Sequence, residues 1–241
     1  MKTIAMIPAR YAATRFPAKL LQALGDKTVI RHTYDNTLAT GLFDEVVVVT
    51  DSDLIYREIT EHGGKAKMSI RSHESGSDRI AEAVAEMDVD IVVNVQGDEP
   101  FVQRAPLEKL LEVFGGEAGR QVQVASLVQV LKEQRFIDDP NYVKVALDKY
   151  NNALFFSRSV IPYPRDAQAA CLYYEHIGVY AFRKQALLQF TGWPVSPLEA
   201  VEKVECLRYL ENGIPMKMVI TEYMGVEIDT PEDLDRAARL L

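Results

Sequence analysis

The sequence predicts an α/β fold: a mostly parallel sheet with helices on both faces and a smaller irregular excursion. Two observations carry this. Short β-branched apolar runs alternate with stretches of helical period through the first half of the chain, the pattern of successive βαβ units. Several of those runs also end in polar loops marked by proline or glycine, as in IPARYAATRFPAKLL and VVNVQGDEP. The carboxyl ends of parallel strands are where open α/β sheets bind ligands.

In order, Thr3–Ile7 is a short apolar strand. Val29–Thr40 is a helix capped by Thr28. Glu45–Thr50 holds four consecutive valines and is a strand buried on both faces. Asp53–His62 is a helix stopped by Gly63 and Gly64, and Lys65–Ser69 is a strand. Ser77–Met87 is a helix with Ile80, Val84 and Met87 on one stripe. Asp90–Val95 is a buried strand, Ala105–Phe114 a helix and Gln123–Val128 a strand. The second half is less regular. Tyr142–Leu147 and Ala153–Ser157 form a hairpin around Asp148 to Asn152. His176–Phe182 is a strand, Pro197–Glu211 one helix, and Met216–Thr221 and Val226–Ile228 short strands. Thr230–Leu241 closes the chain as a helix: Thr230 suits the N-cap, Pro231 the first helical position, and Glu232 and Asp233 the positive end of the dipole. No repeat, low-complexity tract or linker interrupts the chain, which reads as one domain over residues 1–241 with an excursion around 130–190.

The 241 residues suit one large α/β domain or two small ones, and 48% hydrophobic content suffices for a core. A formal net charge of −8 argues against a nucleic-acid partner, whose binding rests on clustered cations. Cys171 and Cys206 have no metal-like spacing and are expected reduced, in a cytoplasmic protein. MKTIAMIPAR reads as a strand rather than a signal peptide. No apolar run reaches the ~20 residues of a membrane span, so no membrane insertion is expected.

Three cations, Arg10, Arg15 and Lys19, follow the first strand. Clustered there, they suit a multiply charged anion such as a nucleoside triphosphate, or form a solvated surface loop. Neither G-x-G-x-x-G nor G-x-x-x-x-G-K-[ST] occurs in this loop, which argues against a dinucleotide enzyme and a P-loop NTPase. From local sequence Asp98 is as readily a metal-ligating carboxylate as a strand-end turn residue, and Asp229 as readily a ligand as a turn or cap residue before Thr230. Ser75, Gly76 and Arg79 open a helix, where backbone N–H groups meet acceptors or Ser75 or Ser77 simply caps. Gly97 lets backbone approach a ligand closely. Taken singly, His176 reads as a structural histidine, Tyr180 as a strand residue that could be core, and Arg158 as a partner for an acid.

The segments IPARYAATRFPAKLL, VVTD, HESGSDR, VNVQGDEP, VKVALD, LFFSRSVIPYPR, HIGVYAFR, PLEAVEKVECLRYLENG and GVEIDTPEDLDR keep their order along almost the whole chain. In them the sequence resembles the 3-deoxy-D-manno-octulosonate (KDO) cytidylyltransferases, or CMP-KDO synthetases. The resemblance implies a nucleotidyltransferase-type, Rossmann-like sheet. It implies the reaction CTP plus KDO to CMP-KDO plus pyrophosphate, for lipopolysaccharide biosynthesis, by attack of the anomeric hydroxyl on the α-phosphorus. It places Arg10, Arg15 and Lys19 over the triphosphate, as catalytic residues with Asp98, and Mg²⁺ on Asp98 and Asp229. Glu99 reads as a local hydrogen-bonding or solvated acid rather than a third ligand. The nucleotide would meet Pro8, Ala9, Arg10, Arg15, Lys19, Ser75, Gly76, Arg79 and Gln96, and the sugar Arg158, His176, Tyr180 and Glu205. A homodimer built from the excursion is also implied. One departure stands out: where the family carries Gln after the glutamate of E-Q-L-R, this chain has Cys206, and a thiol cannot replace the two amide donors. A different sugar acid, sialic-type or a modified KDO, is the alternative. A binding protein without catalysis is a further one, opposed by the presence of both Asp98 and Asp229.

Overall fold

The computed structural model describes residues 1–12, 16–73, 75–166, 168–222 and 226–241. Arg15 lies outside the described residues.

Along the chain, β1 is Thr3–Ala9, followed by a 3-10 turn at Lys19–Leu21 and the two-residue strands β2, Ala23–Leu24, and β3, Lys27–Thr28. Then come α1 (Val29–Ala39), β4 (Glu45–Thr50), α2 (Asp53–Thr60), β5 (Ala66–Met68), α3 (Gly76–Val84) and β6 (Ile91–Asn94). Next are α4 (Arg104–Glu112), α5 (Gly116–Gly119), β7 (Val124–Leu131), α6 (Gln134–Asp138), β8 (Lys144–Leu147), β9 (Ala153–Ser157) and β10 (Tyr173–Arg183). The chain ends with α7 (Lys184–Gly192), α8 (Pro197–Glu202), α9 (Leu207–Glu211), β11 (Met216–Ile220) and α10 (Pro231–Ala238). It divides into two compact units, Met1–Leu107 with Met224–Leu241, and Glu108–Tyr223.

In the first unit β1 pairs in parallel with β4 and β6, and β4 in parallel with β5. This is the expected parallel sheet, with α1, α2 and α3 packed on its strands. The valines of β4 and the apolar residues of β1 and β6 are almost fully buried, which explains why those runs are apolar without alternation. The helix starts follow local chemistry. Thr28, Ser52 and Ser75 each accept a bond from the backbone N–H three residues on. Thr230 and Asp233 form a reciprocal capping box ahead of α10. Pairing of β1 with β6 stops at Met6↔Asn94, whereas pairing with β4 continues to Ala9↔Thr50. The turn after β6, carrying Gln96 to Glu99, folds into the space this leaves beside Pro8.

In the second unit β7 pairs in parallel with β11 and antiparallel with β10, while β8 pairs antiparallel with both β10 and β9. The β8–β9 pair is the expected hairpin. Against β7, strand β10 shifts register between Ile177, opposite Leu127, and Tyr180, opposite Ser126, which marks a bulge. The Ser126 hydroxyl lies 3.0 Å from the Ile177 carbonyl and 2.8 Å from that of Val179, so its single proton has a carbonyl acceptor within the bulge.

Two expectations are corrected. Pro197–Glu211 is not one helix: Lys203 takes a left-handed φ of 55°, separating α8 from α9. The reason is a buried ion pair. In a continuous helix Glu199 and Arg208 would sit roughly 13 Å apart along the axis. The break brings Arg208 Nη2 to 2.5 Å and Nε to 2.7 Å from the Glu199 carboxylate, a forked geometry suited to burial. Nor is Val226–Ile228 a strand. Its Ile228 N–H is used on the Asp98 carbonyl, at 3.0 Å, so the segment docks on a turn instead of joining a ladder.

Candidate active site

The first unit gathers charge at the carboxyl end of β6. Lys19 sits in the 3-10 turn, entered through Ala18 with φ 52°. Its ammonium donates to Asp98 Oδ2 at 2.5 Å and to Asp229 Oδ1 at 2.7 Å. Asp98 and Asp229 lie 79 and 210 positions from Lys19 in sequence. What joins them is the Ile228 N–H bond to the Asp98 carbonyl, together with the capping box, in which Asp233 accepts from the Asp229 and Thr230 N–H groups. Burial works against the Lys19 charge, but Asp98 and Asp229 outweigh it and hold its pKa above the ordinary lysine value.

Glu227, which the sequence reading passed over, completes the cluster. Ligand atoms of Asp98, Glu227 and Asp229 lie within 4.8 Å of one another. Three hard carboxylates already carrying an ammonium form a donor set that fits a divalent cation such as Mg²⁺. The signal for Glu227 was the alternation in GVEIDTP, which puts it two residues before Asp229 on the same side of an extended segment.

Pro8 is closely approached by two glycines. A Cβ on Gly76 would sit 3.1 Å from the Pro8 ring, and one on Gly97 would sit 3.0 Å from the Pro8 carbonyl. The structure thus brings together Pro8, Gly76 and Gly97, with Ala9 buried, Gln96 half-buried and Arg10 exposed. Ser75 takes the capping role, accepting from Asp78 N–H at 3.1 Å and donating to the Asp78 carboxylate at 2.8 Å. The Arg79 side chain is only 4% exposed and is committed to Asp51, at 2.6 Å, and Ser69, at 2.7 Å. It ties α3 to the ends of β4 and β5.

The second unit holds a polar group of another kind. His176 Nε2 lies 3.0 Å from the Ser126 hydroxyl, and its ring packs on Phe156 and Tyr180 at centroid distances of 5.1 and 5.3 Å. Burial lowers its pKa to about 4, so the ring is neutral near pH 7. Burial likewise pushes the Tyr180 hydroxyl well above its ordinary range, and the adjacent Cys206 thiol upward. A thiol held protonated in this way is no nucleophile. Glu205 is half-buried, and its charge reinforces both of those shifts. Arg158 donates to backbone carbonyls, Glu202 at 2.8 Å and Pro140 at 2.9 Å, while its own N–H meets the Glu202 carboxylate. The Arg158 guanidinium is thus bonded to main-chain carbonyls, and the acid's carboxylate is met by the backbone N–H instead.

Beside these lies a set the sequence reading missed. Lys144 on β8 is fully buried, with Nζ 2.8 Å from the Asp139 carbonyl, and burial lowers its pKa. Burial raises the pKa of Glu175, which accepts from Gln129 Nε2 at 2.6 Å; the Gln129 Oε1 is buried without a hydrogen-bond partner. A lysine between two valines in VKVALD was the available signal.

Comparison with known proteins gives the chain its family. Residues 4–221 match the cytidylyltransferase family. A 3-deoxy-manno-octulosonate cytidylyltransferase of Flavobacterium johnsoniae is 60% identical over 241 residues, covering 100% of this chain and 99% of that protein. One of Christiangramia forsetii is 55% identical over 240 residues, covering 100% and 97%. A solved structure of CMP:2-keto-3-deoxy-manno-octonic acid synthetase complexed with CTP superposes with a TM-score of 0.93 at 35% identity, over 100% of this chain and 98% of that one. The chain belongs to the cytidylyltransferase family and, within it, to the group of the 3-deoxy-manno-octulosonate cytidylyltransferases.

Proposed function

We propose that this chain transfers CMP from CTP to the anomeric hydroxyl of KDO, giving CMP-KDO and pyrophosphate. The observation that carries this is the Lys19–Asp98–Asp229 cluster, in a chain 60% identical from end to end to a 3-deoxy-manno-octulosonate cytidylyltransferase. A bond forms between the sugar oxygen and the α-phosphorus, the bond from that phosphorus to the β-phosphate bridging oxygen breaks, and the hydroxyl proton leaves to solvent. Such a transfer asks for positioning and charge neutralisation rather than covalent help.

Asp98 and Asp229, with Glu227, would hold Mg²⁺, which supplies charge neutralisation at phosphate oxygens. Arg10, Arg15 and Lys19 bind the triphosphate. Pro8, Ala9, Ser75, Gly76 and Gln96 border the nucleoside, and Arg79 fixes the start of α3 there through Asp51 and Ser69. Arg158, His176, Tyr180 and Glu205 take the sugar, with His176 acting as a neutral hydrogen-bonding group. The proposal includes a homodimer built from the second-half excursion, a cytoplasmic location and a product that feeds lipopolysaccharide synthesis. Among the described residues no helix is long and apolar enough to cross a membrane.

A second reading, transfer to a sialic-type acid or a modified KDO, is favoured by one observation: a buried thiol, Cys206, beside Tyr180. Pyrophosphate release measured with CTP, UTP and ATP against KDO and sialic acid tests both. CTP with KDO is expected to give the highest kcat/KM. Equal or better use of sialic acid overturns the first reading in favour of the second.

A further inference from the structure

We propose that the Lys19 ammonium acts as a resident counter-cation, occupying the place of the divalent cation until nucleotide arrives, so that lysine and metal compete for the same carboxylates. The inference rests on the metal-site reading of Asp98, Glu227 and Asp229 given above. Lys19 does not border the carboxylates from one side. It donates at 2.5 Å to Asp98 and at 2.7 Å to Asp229, the two residues on which a cation would also sit. The four side chains belong to one cluster, since the three carboxylates approach within 4.8 Å. Like charges this close repel strongly unless a cation lies among them. Lys19 supplies that cation from within the chain.

Two consequences follow from electrostatics. A divalent ion entering without nucleotide must displace an ammonium already bonded to both aspartates, so its affinity for the free protein is lowered by the strength of that pairing. Once displaced, the ammonium is released at the carboxyl end of the sheet, on the loop that also carries Arg10, with no carboxylate to neutralise it. A polyanion is then the favoured partner. Metal and nucleotide therefore load together: each raises the affinity of the other by the same factor, as linkage requires. A lysine placed merely to bind phosphate would leave the carboxylates open to metal beforehand.

The test is Mn²⁺ binding to the whole chain, followed by the paramagnetic signal of the free ion, with and without CTP and with no sugar present. Lys19→Met is expected to bind Mn²⁺ about tenfold more tightly than the unsubstituted protein in the absence of CTP, within the usual range of coupling between sites. CTP should raise Mn²⁺ affinity less in that variant than in the parent. Lys19→Arg, which keeps the cation, is expected to bind no more tightly than the parent. Equal or weaker Mn²⁺ binding by Lys19→Met overturns the competition. Should that variant fail to fold, the ε-ammonium ¹⁵N resonance of Lys19 in the parent decides the matter: it is expected to shift in step with Mg²⁺ binding, and an unchanged resonance at saturation overturns the proposal. Asp98→Asn separates the two readings. If it binds Mn²⁺ as the parent does, the metal site itself is misassigned; if it loses binding while Lys19→Met gains none, only the competition falls.

Discussion

Lys19 and its aspartates, in one unit, are partly withdrawn from bulk water, and His176 with Tyr180 and Cys206, in the other, more completely so, yet they meet that burial in opposite ways. At Lys19 burial opposes the charge, but two carboxylates within 2.7 Å keep it and strengthen it. At His176 no carboxylate among the described residues touches the ring, which meets a hydroxyl and two aromatic rings, and burial removes the charge. One cluster is built to stay ionised and the other to stay neutral. The difference suits a reaction that must hold a polyphosphate in one place and a hydroxylated acid sugar in another. It also separates the kinds of mutation each region tolerates.

The largest expected effect tests the ionised cluster. Asp98→Asn and Asp229→Asn should each lower turnover on the order of 10²–10³-fold, the usual scale for losing an electrostatic partner of the transition state. Circular dichroism should remain that of the parent, since both side chains are partly open to solvent. Near-normal turnover at limiting Mg²⁺ in either variant would remove that residue from the site.

Lys19→Ala comes next. Loss of one charge-assisted bond of about 1.5–3 kcal/mol should lower kcat/KM for CTP on the order of tenfold or more. Initial-rate kinetics varying CTP at saturating sugar would show it, and a value within twofold of the parent argues against phosphate contact.

The neutral cluster is addressed by pH. The folded pKa of His176 lies near 4, below the ordinary value of 6.5. Between those values the unfolded chain binds the extra proton and the folded one does not. The associated stability is thus fully present above pH 6.5 and is lost as pH falls toward 4. His176→Gln should flatten this part of the dependence of the urea midpoint on pH. An unaltered slope would show that the ring is not shielded from water.

The smallest expected effect is at Cys206. Gln is larger than the buried thiol, so Cys206→Gln should destabilise the fold by about 1–3 kcal/mol. It should also change the KM for the sugar more than that for CTP. Equal changes in both would separate Cys206 from sugar recognition.

Much of the first unit was legible because local and tertiary demands agree there. Thr28, the valines of Glu45–Thr50 and the Thr230-Pro231 start are each placed by short-range chemistry that packing reinforces. Legibility fails where a long-range contact overrides a local signal. Pro197–Glu211 has helical character throughout, but the pairing of Glu199 with Arg208 imposes a left-handed Lys203 that no periodicity announces. Val226–Ile228 has a strand's composition, but its amide goes to the Asp98 turn. The site divides the same way. The family resemblance pointed to Asp98 and Asp229, and the cationic loop to Lys19, whereas their mutual contact, Glu227, and the buried Lys144 and Gln129 emerge only when distant segments meet.

The close approach of Gly76 and Gly97 to Pro8 has a consequence for how this chain can change. Methyl groups at the two glycines would press on the same residue, one on its ring at 3.1 Å and the other on its carbonyl oxygen at 3.0 Å. The three positions therefore form one mutational unit, and substitutions within it are epistatic. Ala at 76 or at 97 alone requires Pro8 to give by a few tenths of an ångström, and the second substitution meets a proline already displaced. Effects of the pair will not sum. A library that varies these sites singly would record three intolerant positions and miss any joint solution, which only combinatorial variation of all three can reach.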